Sequence, residues 1–137
     1  MQTFMPYPNY IESAKCLDYK RLGKQRVECL QILQTIIEKR KAWSNHPAVN
    51  MWRGFEYELS IYGIIICQEW ISRGYKDTCF EKIAEISKKT KPIGKPLFIG
   101  NKAFHDSHKS NLLRKDFTYY SQFNWNVENN LEYVWNV

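Results

Sequence analysis

The stretch "KRLGKQRVECLQILQTII" at residues 20–37 changes character along its length. Its first part carries four cationic side chains within seven positions, Lys20, Arg21, Lys24 and Arg26. Its second part is rich in leucine and isoleucine. At about 100° per residue, Leu22 and most apolar residues after it fall on one stripe of an α-helix. The stretch therefore predicts one long helix, over about residues 19–41, with a basic N-terminal end and a C-terminal part that packs in a core.

Capping and turn residues divide the rest of the chain into further helices. Asn9 with Glu12 predicts a short first helix, and "NHP" at 45–47 begins a third. The remaining predicted elements are the body of the third helix to residue 72, a fourth helix from Thr78 to about residue 89, a loop over residues 90–100, a fifth helix from Asn101 to near Arg114, a short turn at Asp116 and a packed tail at 131–137. The sequence predicts an all-α fold, a compact single-domain helical bundle of about five helices.

Length and composition exclude several classes of protein. At 137 residues the chain is predicted to be one domain with a sizeable core. The longest apolar run, "IYGIIIC" at 61–67, is too short for a membrane span, and the N-terminal segment lacks the features of a signal peptide. We therefore expect a cytoplasmic protein, in the nucleoid or nucleus if it binds DNA. The four cysteines are widely spaced, which favours reduced core thiols over disulfides or zinc ligands.

The charge pattern indicates an anionic partner. The net charge is +6, and residues 15–26 carry five lysines and arginines but only one acidic residue, Asp18. Such a concentration suits a phosphate backbone better than evenly spread charge does. Arg26 lies within the apolar stripe, so it either extends its side chain off the end of the core or lines a cleft together with Gln25.

The fifth helix contains a second polar group of residues. His105 and His108 are three positions apart and share a helix face, but no third ligand has a spacing that favours a metal site. The alternative is an ordinary amphipathic helix with Phe104 and the leucines turned inward. Together with the residues of this helix, the predicted DNA contacts are Lys20, Arg21, Lys24, Arg26, His46, Arg53, His105, His108, Lys109, Asn111 and Arg114.

Three segments carry a resemblance to a known family: "RLGKQR" at 21–26, "NHPAVNMWRG" at 45–54 and "HKSNLLRKD" at 108–116. In order and spacing over most of the chain, the sequence resembles the small all-α pyrimidine-dimer DNA glycosylases with abasic-site lyase activity that are known from bacteriophages and large viruses. It is similar in particular to bacterial relatives whose activity is largely unassigned. The resemblance implies DNA as the partner, duplex DNA with damaged DNA as a candidate substrate, and no cofactor or metal is expected.

The resemblance also implies a reaction. In that family the α-amine of the N-terminus attacks C1′ of the damaged nucleotide, and a carboxylate at the start of the long helix assists. The catalytic amine is then expected at Met1 or Gln2. The large side chain of Gln2 disfavours removal of the initiator methionine, so the amine would belong to Met1.

The expected position of the carboxylate holds an amide. Its place along the helix falls near Gln25, which cannot act as a general acid at neutral pH. Glu28 is a weaker candidate, because its helical angle turns it away from Arg26. Glu12 of the first helix is the other candidate.

Functions from different classes fit these features. The first is a DNA glycosylase with abasic-site lyase activity, and the second is a non-catalytic helical module that binds DNA or nucleotides. A third is a protein-interaction bundle whose aromatic residues, including Trp43, Trp125 and Trp135, contact a partner or a second copy. The sequence does not indicate the oligomeric state.

Overall fold

The computed structural model describes residues 1–135. Within this range seven α-helices follow one another: α1 (Tyr10–Cys16), α2 (Tyr19–Ile37), α3 (Pro47–Asn50), α4 (Glu56–Ser72), α5 (Phe80–Lys88), α6 (Lys102–Lys115) and α7 (Phe117–Tyr120). A 3₁₀ turn follows at Ser121–Phe123, and residues 1–135 contain no strand. The predicted all-α class is confirmed. Five helices have seven residues or more, and the two additional ones, α3 and α7, are single turns of four residues.

The helix predicted over residues 47–72 is broken in two. It stops at Asn50 and resumes at Glu56, because Gly54 in the connection adopts the left-handed conformation with φ of +86°. The connection carries Trp52, whose indole Nε1 donates a hydrogen bond to Thr3 Oγ1 at 3.1 Å. The break therefore brings a core tryptophan against the first residues of the chain.

Two other helix ends differ from the prediction. Helix α2 ends at Ile37, short of residue 41, because Lys39 adopts a left-handed conformation with φ of +51°. Helix α5 begins at Phe80, because Asp77 accepts a hydrogen bond from its backbone N–H at 2.7 Å. Asp77 takes the capping role that was predicted for Thr78.

Helices α2 and α4 pack against each other and run antiparallel. Two glycines permit their close approach. A Cβ at Gly63 would lie 2.5 Å from Cys29 Sγ, and a Cβ at Gly23 would lie 2.9 Å from the Trp70 ring.

Buried residues at the start of the chain and partly buried residues near its end complete the core. Residues 2–5 form a segment without regular secondary structure that is buried before α1 begins. Residues 131–135 have no regular secondary structure and pack back on the core, as predicted for the tail, whereas Asn136 and Val137 lie outside the described residues. All four cysteines are buried and free, in agreement with the prediction of reduced core thiols. Among the described residues, no helix has both the length and the apolar character that crossing a bilayer requires.

Candidate active site

A cleft of about 480 Å³ lies between the first residues of the chain and the N-terminal turns of α2. Part of its lining is cationic and is formed by Lys20, Arg21, Lys24 and Lys115. Another part is aromatic and is formed by Phe4, Tyr133 and Trp135. The remaining lining residues are Met1, Gln2, Gln25, Glu28 and His46. Cations, aromatic rings, an amine and a carboxylate therefore meet in one concave surface.

Glu28 is the carboxylate that faces the amine of Met1. Its Oε1 lies 3.9 Å from the Met1 nitrogen and 4.0 Å from Lys24 Nζ. Its Oε2 accepts a hydrogen bond from Gln25 Nε2 at 2.9 Å. The expectation that Glu28 points away from the site is wrong. Its angle was taken relative to Arg26, whereas the cleft lies on the side of Gln25, three positions before Glu28 on the same helix face.

Gln25 holds the N-terminal segment in place and is nearly inaccessible, with 1% of its surface exposed. Its Oε1 accepts a hydrogen bond from the Phe4 N–H at 2.8 Å, and the Tyr62 hydroxyl lies 3.0 Å from the same oxygen. Its amide nitrogen orients Glu28. Gln25 therefore connects the path of the chain start to the position of the carboxylate.

His105 and His108 form hydrogen bonds with the backbone of Met5. The Met5 N–H donates to His108 Nδ1 at 2.8 Å, and His105 Nδ1 donates to the Met5 carbonyl at 2.8 Å. His105 Nε2 accepts from the Gly100 N–H at 2.8 Å, which fixes its tautomer. Burial lowers the pKa of His105, and it lowers that of His108 to about 3, so both rings are neutral at pH 7.

The two histidines do share one face of α6, but this face points into the core. Their exposed fractions are 4% and 0%. Neither ring is accessible to a ligand, so the expectation that His105 and His108 contact DNA is wrong. Their role is to hold the N-terminal segment from behind.

The rest of the polar side of α6 binds the C-terminal tail. Arg114 donates to the carbonyls of Asn129 at 2.6 Å and Leu131 at 2.7 Å, and Asn111 Nδ2 donates to Leu131 at 3.2 Å. Lys109 Nζ lies 5.2 Å from the ring centre of Tyr7. None of these three predicted DNA contacts lines the cleft.

Arg26 also lies away from the cleft, so the alternative in which it lines a cleft together with Gln25 is wrong. Its guanidinium bonds to the Asp77 carboxylate and lies 4.4 Å from the centre of the Trp70 ring. Burial alone would raise the pKa of Asp77, but hydrogen bonds from Arg26 and from two backbone amides outweigh it and hold this pKa below its usual value. The apolar stripe of α2 continues here into packing against α4 and the loop before α5.

His46 and Arg53 occupy different environments. His46 lines the cleft, and its Nδ1 accepts a hydrogen bond from the Ala48 N–H at 3.0 Å, which leaves the ring proton on Nε2. Burial, and secondly the nearby N-terminal ammonium, lower the pKa of His46. Arg53 lies on the surface beside Asn50 and the Ser44 carbonyl and is not part of the cleft.

Sequence reasoning missed four residues of the lining: Phe4, Lys115, Tyr133 and Trp135. Lys115 follows Arg114 in a basic pair at the end of α6, so its charge was visible but its position was not. The aromatic residues of the tail were expected to pack on the body, with no indication that they would border the cleft. Within residues 1–135, no group of three His, Cys, Asp or Glu side chains is placed to hold a metal ion.

Comparison with known proteins adds one finding. A family model described as pyrimidine dimer DNA glycosylase matches residues 1–82. This match includes the amine, α2 with Gln25 and Glu28, and His46. No curated protein and no solved structure shows significant similarity to the chain.

Proposed function

Because the chain belongs to the pyrimidine dimer DNA glycosylase family, we propose that it excises bases from DNA and uses the α-amine of Met1 as its nucleophile. The family supports a DNA glycosylase-like function in general. One observation carries the finer proposal: the amine lies 3.9 Å from the Glu28 carboxylate, inside a cleft with a cationic lining. Damaged duplex DNA is the substrate that this combination fits best.

The proposed chemistry assigns separate roles to the amine and to Glu28. A primary amine is nucleophilic in its neutral form, and Glu28 at 3.9 Å is placed to take up its proton through one bridging water. The amine forms a bond to C1′ as the glycosidic bond breaks, and the base leaves with the bonding electrons and takes up a proton. Opening of the sugar ring then yields a Schiff base, from which loss of a C2′ proton expels the 3′ phosphate.

The remaining lining suits the nucleic acid. Lys20, Arg21, Lys24 and Lys115 provide several cations within reach of one backbone. Attack at C1′ requires the nucleotide to leave the base stack, and the rings of Tyr133 and Trp135 offer apolar surfaces beside the amine for it.

The test is borohydride trapping on duplex DNA with one abasic site. We expect a covalent adduct whose DNA is attached to the N-terminal peptide, as read by mass spectrometry. Glu28→Gln should slow adduct formation by about 10²- to 10⁴-fold, the usual contribution of a positioned proton-transfer group. Glu12→Gln is the matched control, because Glu12 is exposed on α1 outside the cleft, and it should leave the rate unchanged.

Other results of this test contradict the proposal. An adduct on a lysine side chain would assign the nucleophile elsewhere. Salt-dependent DNA binding with no adduct at all would indicate a non-catalytic DNA-binding module.

A further inference from the structure

Four side chains outside the cleft form a continuous stack: Arg26, Trp70, Tyr75 and Tyr19. At one end of the stack, the Arg26 guanidinium lies 4.4 Å from the centre of the Trp70 ring. The Trp70 and Tyr75 rings are 4.3 Å apart and inclined by only 25°. Tyr19 continues the series at 6.4 Å from Tyr75 with an inclination of 27°. The rings thus form one near-parallel ladder from the interior to the surface.

The inner end of this ladder is fixed. Arg26 is bonded to Asp77, and Trp70 Nε1 donates to the Lys76 carbonyl at 2.8 Å. Gly23 provides the space for the indole, since a Cβ there would lie 2.9 Å from it. The tryptophan is therefore held from three sides, and the outer rings rest on a rigid support.

The outer end is exposed and continues into a basic groove. Tyr19 is 54% exposed and Tyr75 is 42% exposed. A second cavity, of about 490 Å³, is lined by Tyr19 together with Lys20, Arg21 and Lys115. The same three cations also line the cleft that contains the amine. The aromatic ladder and the cleft are thus connected by one cationic ridge.

Two carboxylates on this groove are already occupied. Asp18 pairs with Arg21 at 3.2 Å and accepts a hydrogen bond from the Tyr120 hydroxyl. Asp116 accepts the Tyr119 N–H at 3.1 Å as the cap of α7. The two lysines, Lys20 and Lys115, are the exposed charges of the ridge, so the groove favours an anion.

We propose that Tyr19 and Tyr75 form a stacking platform for an unpaired nucleobase of a DNA strand that crosses the ridge from the cleft. A cationic groove beside exposed aromatic rings is the arrangement that binds single strands, because every base has a face that can stack. The interior of a paired duplex presents only base edges and phosphates, so away from the duplex ends only a base that has left the stack can cover a tyrosine face. The inference rests on the proposed function in one respect, that DNA is the ligand of the cleft.

The test compares single-stranded with duplex DNA. A short fluorescein-labelled thymidine oligonucleotide and a blunt duplex of equal length are titrated with the protein, and affinity is read by fluorescence anisotropy. Tyr19→Leu and Tyr75→Leu should each lower single-strand affinity about tenfold, whereas duplex affinity should change less than about twofold. The salt dependence should stay the same, since no charge is removed.

Three further variants or readouts make the result specific. Tyr19→Phe keeps the ring and should retain single-strand affinity. Tyr57→Leu removes a tyrosine at the opposite end of α4 and should have no effect on either DNA. The melting temperature of Tyr19→Leu should stay near that of the wild type, because Tyr19 is the exposed end of the ladder.

An equal loss for single-stranded and duplex DNA, or no loss for Tyr19→Leu, overturns the platform. These outcomes are independent of the proposed chemistry, which is decided by borohydride trapping. A wild-type protein that forms no adduct, but loses single-strand affinity on Tyr19→Leu, would refute the chemistry and support the platform. The reverse result would refute the platform alone.

Discussion

Replacing Gln25 by glutamate tests which position holds the working carboxylate. Gln25 donates to Glu28 at 2.9 Å and is 1% exposed, so the substitution sets a second carboxyl group directly against the first. The two carboxyl groups must then keep one proton between them, or two anions face each other with the one at position 25 buried. A protonated glutamate at position 25 can still donate to Glu28, and its other oxygen can still accept from Phe4.

The cost follows from the retained proton. An unfolded glutamate has a pKa of about 4.3, so keeping its proton to pH 7 costs up to about 3.7 kcal/mol of unfolding free energy. The ammonium groups of Met1 at 3.9 Å and Lys24 at 4.0 Å favour the doubly ionised pair and reduce this figure. We therefore expect a loss of about 2–3 kcal/mol at pH 7.

The retained proton also determines how the unfolding free energy of the Gln25→Glu variant changes with pH. The folded pKa of the pair is raised above its unfolded value, so the native state binds more protons than the unfolded state. The variant should match the wild type near pH 4 and lose stability as the pH rises. Urea unfolding of both proteins between pH 4 and pH 8 measures this.

The double variant Gln25→Glu/Glu28→Gln is the matched control. It exchanges the two groups and restores one donor and one acceptor, so it should regain most of the lost stability. It should not regain borohydride trapping, because the carboxylate would no longer face the amine of Met1. A stability for Gln25→Glu that does not change with pH, or faster trapping by that single variant, would refute this account of the site.

Two further substitutions test the packing around α2. Gly63→Ala should lose about 1–2 kcal/mol in urea denaturation, because the methyl group overpacks against Cys29 Sγ at 2.5 Å by more than the helix propensity of alanine gains. Adding Cys29→Ala should remove most of that penalty, whereas a stabilised Gly63→Ala protein would contradict the close contact. Arg26→Ala should lower stability by about 2–4 kcal/mol, because it leaves the buried Asp77 carboxylate unpaired, and should leave duplex affinity within about twofold. If Arg26→Ala instead left the stability unchanged and weakened DNA binding, Arg26 would be a DNA contact and not a structural residue.

The fold was predictable because its signals are local. Helical periodicity in α2 and α4 and the capping residue Asn9 depend on neighbours within a few positions. The errors arose where a single backbone angle decides whether a helix continues or ends, as at Gly54. The sequence shows that a glycine is present there, but not which conformation it adopts. Capping by Asp77 in place of Thr78 is an error of the same local kind.

The site was predictable only in part, because its geometry depends on distant partners. The cations at the start of α2 were found from sequence, and Arg26 was correctly placed in the apolar stripe. Its partner Asp77 lies 51 positions away, which no helical angle reveals. Glu28 was undervalued for the same reason, although its spacing from Gln25 and Lys24 was a usable signal.

The hydrogen bonds between Met5 and α6 join parts of the chain that are synthesised far apart in time. The partners of Met5 are 100 and 103 positions further along the chain, so the first residues leave the ribosome long before the histidines that hold them. Contacts of such high sequence separation form late in folding, after the local helices. A growing chain therefore already contains Met1 and Glu28 before the histidines of α6 can hold the N-terminal segment in its final position. The side of the cleft that the N-terminal segment forms is therefore not fixed by these two bonds until α6 has docked.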